Sequence, residues 1–130
     1  MGPDNPLIFM TGPFTATRVP SGSRYTLISL SPLTNIFAES NIGGSFGWNL
    51  KKAGWDGLVV VGASEDPVAV VIDGENITLR PSDDLWGQDV FDADEKIKEE
   101  VGDKRATTAM LQFILAPQPT VEHALESSLW

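Results

Sequence analysis

Apolar positions fall in short runs separated by turn-forming residues, the pattern of a strand-rich chain with few helices. Leu7-Ile8-Phe9-Met10 follows a Pro-rich start and precedes Gly12-Pro13, which predicts a buried strand. Tyr25 to Leu30 alternates and is rich in β-formers, a second strand. Asn35 to Ser40 reads as a third, delivering Asn41 to a strand end. Gly57 to Gly62 is solidly apolar and reads as a central strand, buried on both faces. Pro67 to Ile72 and Ile77 to Arg80 flank the turn Asp73-Gly74-Glu75-Asn76, a hairpin. Ala106 to Leu115 completes the strands.

Two segments have helical spacing. Phe46, Leu50 and Ala53 share one face, with Gly54 as the stop. Ala93, Ile97 and Val101 share another, with Asp92 as N-cap, Glu95 three residues on, and Gly102 closing the helix. These elements predict an α+β fold: one mixed, β-sheet-rich domain with about six strands and two helices.

The first helix is preceded by Glu39-Ser40-Asn41-Ile42-Gly43-Gly44-Ser45, a polar, glycine-rich turn. The leading N–H groups of a helix have no intrahelical partner and carry partial positive charge, so an oxyanion suits this place. The alternative is a helix start that needs glycine only for close packing. Arg24 lies between a glycine-serine loop and a strand, and its planar fork suits phosphate, although a lone arginine is more often plain surface. Asn41 has an oxygen to lend to a metal or an amide to lend to an oxyanion, and is equally a turn residue.

Charge sharpens this. The 130 residues carry a formal net charge of −9, which disfavours nucleic acid and anionic membranes as partners. Residues 1–55 hold Arg18, Arg24, Lys51 and Lys52 against Asp4 and Glu39, a net of +2. The remainder holds five basic and sixteen acidic side chains, a net of −11. An anionic ligand therefore belongs to the first half. With 42% hydrophobic residues the chain is globular, and no apolar run approaches the roughly 18–20 residues that span a bilayer. The absence of cysteine excludes disulfides, a thiolate nucleophile and a Cys-bound cluster within these residues. The cytoplasm is the expected compartment. His123, the single histidine, has no evident Ser or Asp partner, and Asp83-Asp84, Glu65-Asp66 and Glu99-Glu100 read as solvated acidic pairs. Residue chemistry alone thus supports an anion-binding domain centred on Arg24 and Asn41 to Gly44, without a nucleophile, a general base or a metal cage.

Several blocks in one order carry a family resemblance. They are Gly2 to Phe9, Thr11-Gly12-Pro13, Gly22-Ser23-Arg24-Tyr25, Ser31-Pro32-Leu33-Thr34, Glu39 to Gly44, Leu50 to Gly57, and Trp86-Gly87. Over about residues 2–110 the chain resembles the N-terminal domain of aldehyde ferredoxin oxidoreductases. The resemblance implies a β-rich base beneath a tungsten or molybdenum bis-pterin cofactor. Arg24, Asn41 and Gly43 match positions that contact the pterin phosphates and the bridging Mg2+, with Asn41 offering oxygen to the metal ion. The family oxidises aldehydes to carboxylic acids and passes electrons to ferredoxin through a 4Fe-4S cluster held elsewhere in the full-length enzyme.

The departures shape the expectation. The chain begins where the family's domain is already under way. After Met110 a different segment replaces the family's usual glycine-rich continuation, and the cluster cysteines and catalytic residues do not follow. The expected organisation is a partial N-terminal domain over 1–110 and a divergent tail over 111–130. Three functions follow from it: a truncated piece of the cofactor-binding domain; a non-catalytic binding or assembly module that pairs with the remaining domains on another chain; or an inert remnant.

Overall fold

The structure, a computed structural model, describes residues 4–31 and 33–110. Its elements are β1 Leu7–Thr11, β2 Tyr25–Leu30, β3 Phe37–Ile42, α1 Phe46–Lys52, β4 Gly57–Val60, β5 Val68–Asp73, β6 Asn76–Pro81, a 3-10 turn Asp83–Leu85, and α2 Val90–Val101. Strands β3-β2-β1-β4 form one sheet, and β5-β6 form a second, two-stranded one. Every recorded pairing is antiparallel, so the mixture in this α+β fold is of helices with sheets.

The four-stranded sheet is covered on one face. Phe9, Tyr25 and Leu27 are buried there, with Leu7, Ile42, Phe46, Leu58 and Val60 packed around them. Strand alternation explains this set, because residues two apart share a face. Helix α1 lies on the same face. Its Phe46 ring sits 5.1 Å from Tyr25 and 5.9 Å from Phe9, and its Leu50 is buried as well. Gly47 permits the approach: a Cβ there would lie 3.0 Å from the Tyr25 Cβ and 3.3 Å from the Ser23 carbonyl oxygen. Close packing therefore accounts for one glycine of the 43–47 stretch.

Several expectations shift. Strand β3 runs two residues later than expected. Asn35 adopts a left-handed φ of 55°, and the Ser31 N–H donates to the Ile36 carbonyl, so the turn consumes Asn35 and Ile36. The apolar run from Gly57 is a strand, but among the described residues it is an edge strand: β4 pairs with β1, and Val59 is 57% exposed. Helix α2 starts at Val90, not after Asp92. Asp89 is its N-cap and accepts from the Phe91 N–H at 2.8 Å. The first turn was hidden because Phe91, 82% exposed, lies off the apolar stripe that begins at Ala93. Gly54 and Gly102 both take the left-handed φ expected of helix stops.

Ala106 to Met110 is not a strand. Side chains hold it instead. Asn49 Nδ2 of α1 donates to Thr107 Oγ1 at 3.2 Å, and Thr108 Oγ1 donates to Asp94 Oδ1 of α2 at 2.6 Å. The rest of that expected strand, and the expected tail over 111–130, lie outside the described residues.

Candidate functional site

The last pair of the β2–β3 ladder is Tyr25 with Ile42. Both side chains belong to the core, which fixes this end of the sheet. Arg24 immediately precedes the Tyr25 of this pair and Gly43 immediately follows its Ile42. The two residues therefore flank the same end of the β2–β3 ladder. The backbone here is tied inward: Thr15 Oγ1, on a buried side chain, donates to the Arg24 carbonyl at 3.4 Å and accepts from the Gly12 N–H at 3.0 Å.

Gly43 and Gly44 stand in open space, since a Cβ on either would meet nothing within 4 Å. Gly44 needs glycine for its φ of +90°. Gly43 has no such need, and no neighbour crowds it. Its exposed backbone is open to an external group, which is what close approach of a phosphate requires.

Asn41 projects from the sheet face opposite the core. Its Oδ1 accepts from Thr26 Oγ1 at 3.1 Å, and its Nδ2 donates to Glu39 Oε1 at 3.3 Å. Thr26, Asn41 and Glu39 thus form a row of oxygen-bearing side chains at the sheet end where Arg24 enters. Hard divalent cations take oxygen ligands of this kind. Thr26 and Glu39 were not singled out from sequence. The alternation in Tyr25 to Leu30 puts Thr26 off the core face, but only the strand register shows that it meets Asn41.

The basic residues of the first half are unequally engaged. Lys51 pairs with Asp56, and the Lys52 ammonium lies 5.3 Å from the centre of the Trp48 ring. Among the described residues no hydrogen bond or ion pair is recorded for the Arg24 guanidinium, which is exposed. A depression lined by Ser64, Glu65, Asp66, Pro67, Asp83 and Trp86 shares no residue with this site, and its carboxylates disfavour anions. Helix α1 has only seven residues, and the Ser45 side chain makes no cap bond. So short a helix adds little dipole.

The family profile "Aldehyde ferredoxin oxidoreductase, N-terminal domain" matches residues 1–112. A tungsten-containing aldehyde ferredoxin oxidoreductase of Pyrococcus horikoshii is 46% identical over 109 residues, which are 84% of this chain and 18% of that protein. The enzyme of the same name from Pyrococcus furiosus is 40% identical over 111 residues, 85% of this chain and again 18% of the relative. Among solved structures, the active site complex BamBC of benzoyl coenzyme A reductase in complex with 1,5-dienoyl-CoA superposes with a TM-score of 0.77 at 31% identity. The match covers 79% of this chain and 16% of that one. This chain therefore spans under a fifth of the length of its curated relatives. The chain belongs, through its matched residues, to the aldehyde ferredoxin oxidoreductase N-terminal domain family.

Proposed function

We propose that residues 1–110 are part of the cofactor-binding domain of a tungsten- or molybdenum-dependent oxidoreductase, and that they hold one phosphate of a bis-pterin. Arg24 supplies a guanidinium fork, and the Gly43 and Gly44 amides supply neutral donors to the same anion. Asn41 contributes an oxygen to Mg2+ beside the phosphate. Glu39 is compatible with this role, because a carboxylate and a phosphate that would repel each other can share a divalent cation. The observation that supports the reading is the Tyr25–Ile42 pair at the end of the β2–β3 ladder, which Arg24 and Gly43 flank in sequence.

In the complete enzyme the metal and its pterins would carry out the two-electron oxidation of an aldehyde to its acid, with ferredoxin as acceptor. This chain's share is binding and orientation.

The test is direct binding of pyrophosphate or molybdopterin to the 130-residue chain and its Arg24→Ala variant. The variant is expected to bind about tenfold more weakly or worse, the scale of a charge-assisted bond of roughly 1.5–3 kcal/mol. Its melting temperature should stay within about 2 °C of wild type, since removing an exposed arginine costs little. Equal affinities in the two proteins would discard the site. Unfolding of the variant would make Arg24 a structural partner instead.

A further inference from the structure

Thr15 is a polar residue exposed to only 3%, in a connection between β1 and β2 whose other residues are mostly exposed. A buried hydroxyl is costly unless it is bonded, and a valine of the same shape would fill the place without that cost. The connection is stitched mainly to itself. The Thr15 N–H donates to the Gly12 carbonyl at 3.1 Å, and the Gly22 N–H to the Val19 carbonyl at 3.3 Å. The Thr17 hydroxyl donates to the Phe14 carbonyl at 2.6 Å. Each of these bonds is local. The Thr15 hydroxyl instead joins the two ends: it accepts from the Gly12 N–H at 3.0 Å and donates to the carbonyl of Arg24, nine positions away, at 3.4 Å. Ala16 and Ser21 both hold a left-handed φ of 62°, which non-glycine residues keep only where their surroundings impose it. The Ser23 carbonyl in turn lies against α1, 3.3 Å from where a Cβ on Gly47 would stand. Arg24 itself is the opposite case. Its side chain is exposed, and its backbone is the part that is fixed.

We infer that Thr15 is a positioning residue for the anion site: its buried hydroxyl pins the Arg24 carbonyl to the end of β1, so that the guanidinium departs from a fixed point. The inference rests on the Arg24 anion site proposed above. A long arginine gives up rotamer freedom when it grips a phosphate, and a moving attachment point would add lost backbone freedom to that cost. The Thr15 hydroxyl removes the second part before the ligand arrives. It touches no ligand and acts on affinity through Arg24 alone.

The experiment titrates pyrophosphate into the 130-residue chain and its Thr15→Val and Thr15→Ser variants, each with and without Arg24→Ala. Thr15→Val should bind about threefold to tenfold more weakly, the scale of one net hydrogen bond. Thr15→Ser, which keeps the hydroxyl, should stay within about twofold of wild type. In the Arg24→Ala background Thr15→Val should change affinity by less than about twofold, because the residue through which it acts is gone. Amide exchange at Gly12 should quicken at least about tenfold in Thr15→Val and not in Thr15→Ser. A loss of affinity that is the same in both backgrounds overturns the inference, as does a serine variant that binds as weakly as the valine one. Unchanged Gly12 exchange in Thr15→Val overturns it, and so does a Thr15→Val chain that unfolds, since the hydroxyl is then a requirement of the fold. If Arg24→Ala alone binds as tightly as wild type, the anion site falls and this role with it. If Arg24→Ala binds weakly while Thr15→Val binds tightly, only the role of Thr15 falls.

Discussion

Thr26 and Asn41 face each other across β2 and β3, and the Thr26 hydroxyl donates to the Asn41 side-chain oxygen at 3.1 Å. That bond, with the one from Asn41 Nδ2 to Glu39, fixes which end of the carboxamide is oxygen. A residue meant to offer oxygen to a cation needs that orientation held.

Magnesium should therefore separate two kinds of variant. Wild-type chain is expected to bind pyrophosphate more tightly with Mg2+ than with a chelator. Asn41→Ala should remove that difference, whereas Arg24→Ala should weaken binding in both conditions. Thr26→Val should fall between, with a loss of about twofold to tenfold in the Mg2+ condition, the worth of one net hydrogen bond of roughly 0.5–1.5 kcal/mol. Calorimetric titration checks this. If Asn41→Ala keeps the full magnesium effect, the cation is held elsewhere.

Gly47 makes a prediction about stability alone. An added methyl meets the Tyr25 side chain at 3.0–3.1 Å and the Ser23 carbonyl oxygen at 3.3 Å. Tyr25 is buried and cannot withdraw freely. Gly47→Ala should destabilise by about 1–3 kcal/mol despite the better helix propensity of alanine. Chemical denaturation measures it, and a stabilised variant would mean that α1 is free to shift off the sheet.

Acid should loosen the connection between α2 and the segment after it. Asp94 lies below the usual carboxylate pKa, first because the Lys98 ammonium bonds to it and next because the Thr108 hydroxyl does. The folded form thus holds its proton less tightly than the unfolded form. The associated stability is present above the unfolded value and is lost as pH falls through the folded one, below about pH 4. Melting temperatures taken from pH 6 to pH 2 should fall less steeply for Asp94→Asn than for wild type. Parallel curves would show that Asp94 contributes nothing to acid sensitivity.

The 130-residue chain on its own should not oxidise aldehydes. It has no cysteine with which to bind a cluster, so electrons have no relay. Viologen reduction with an aldehyde present, above a protein-free blank, would contradict this.

Local patterns carried most of the fold. Alternation in Tyr25 to Leu30 and the Phe46, Leu50, Ala53 spacing each produced an element where expected, because each reflects a face packed on the core. Edge and centre were not legible in the same way. Gly57 to Val60 is as apolar as a central strand, yet pairs on one side, and no local signal reports which neighbours a strand will have. The start of α2 was misplaced because Val90 and Phe91 are helical by virtue of the Asp89 cap, not of burial. At the site, Arg24, Asn41, Gly43 and Gly44 were legible as residue types suited to an anion. The bonds of Asn41 to Thr26 and Glu39 depend on a strand register that spacing alone does not specify.

The turn between β2 and β3 lies at the far end of the same ladder. Six residues of strand separate it from the Arg24–Gly43 end, about 17–20 Å at the usual rise. Thr34, Asn35 and Ile36 are exposed there, the Ser31 N–H bonds to the Ile36 carbonyl, and Asn5 clasps both backbone groups of the adjoining Leu30. Length variation at this turn need not disturb the register that assembles the site. It is the natural place to graft an affinity tag or a fluorophore, and the place where homologous chains can gain or lose residues with the cradle intact.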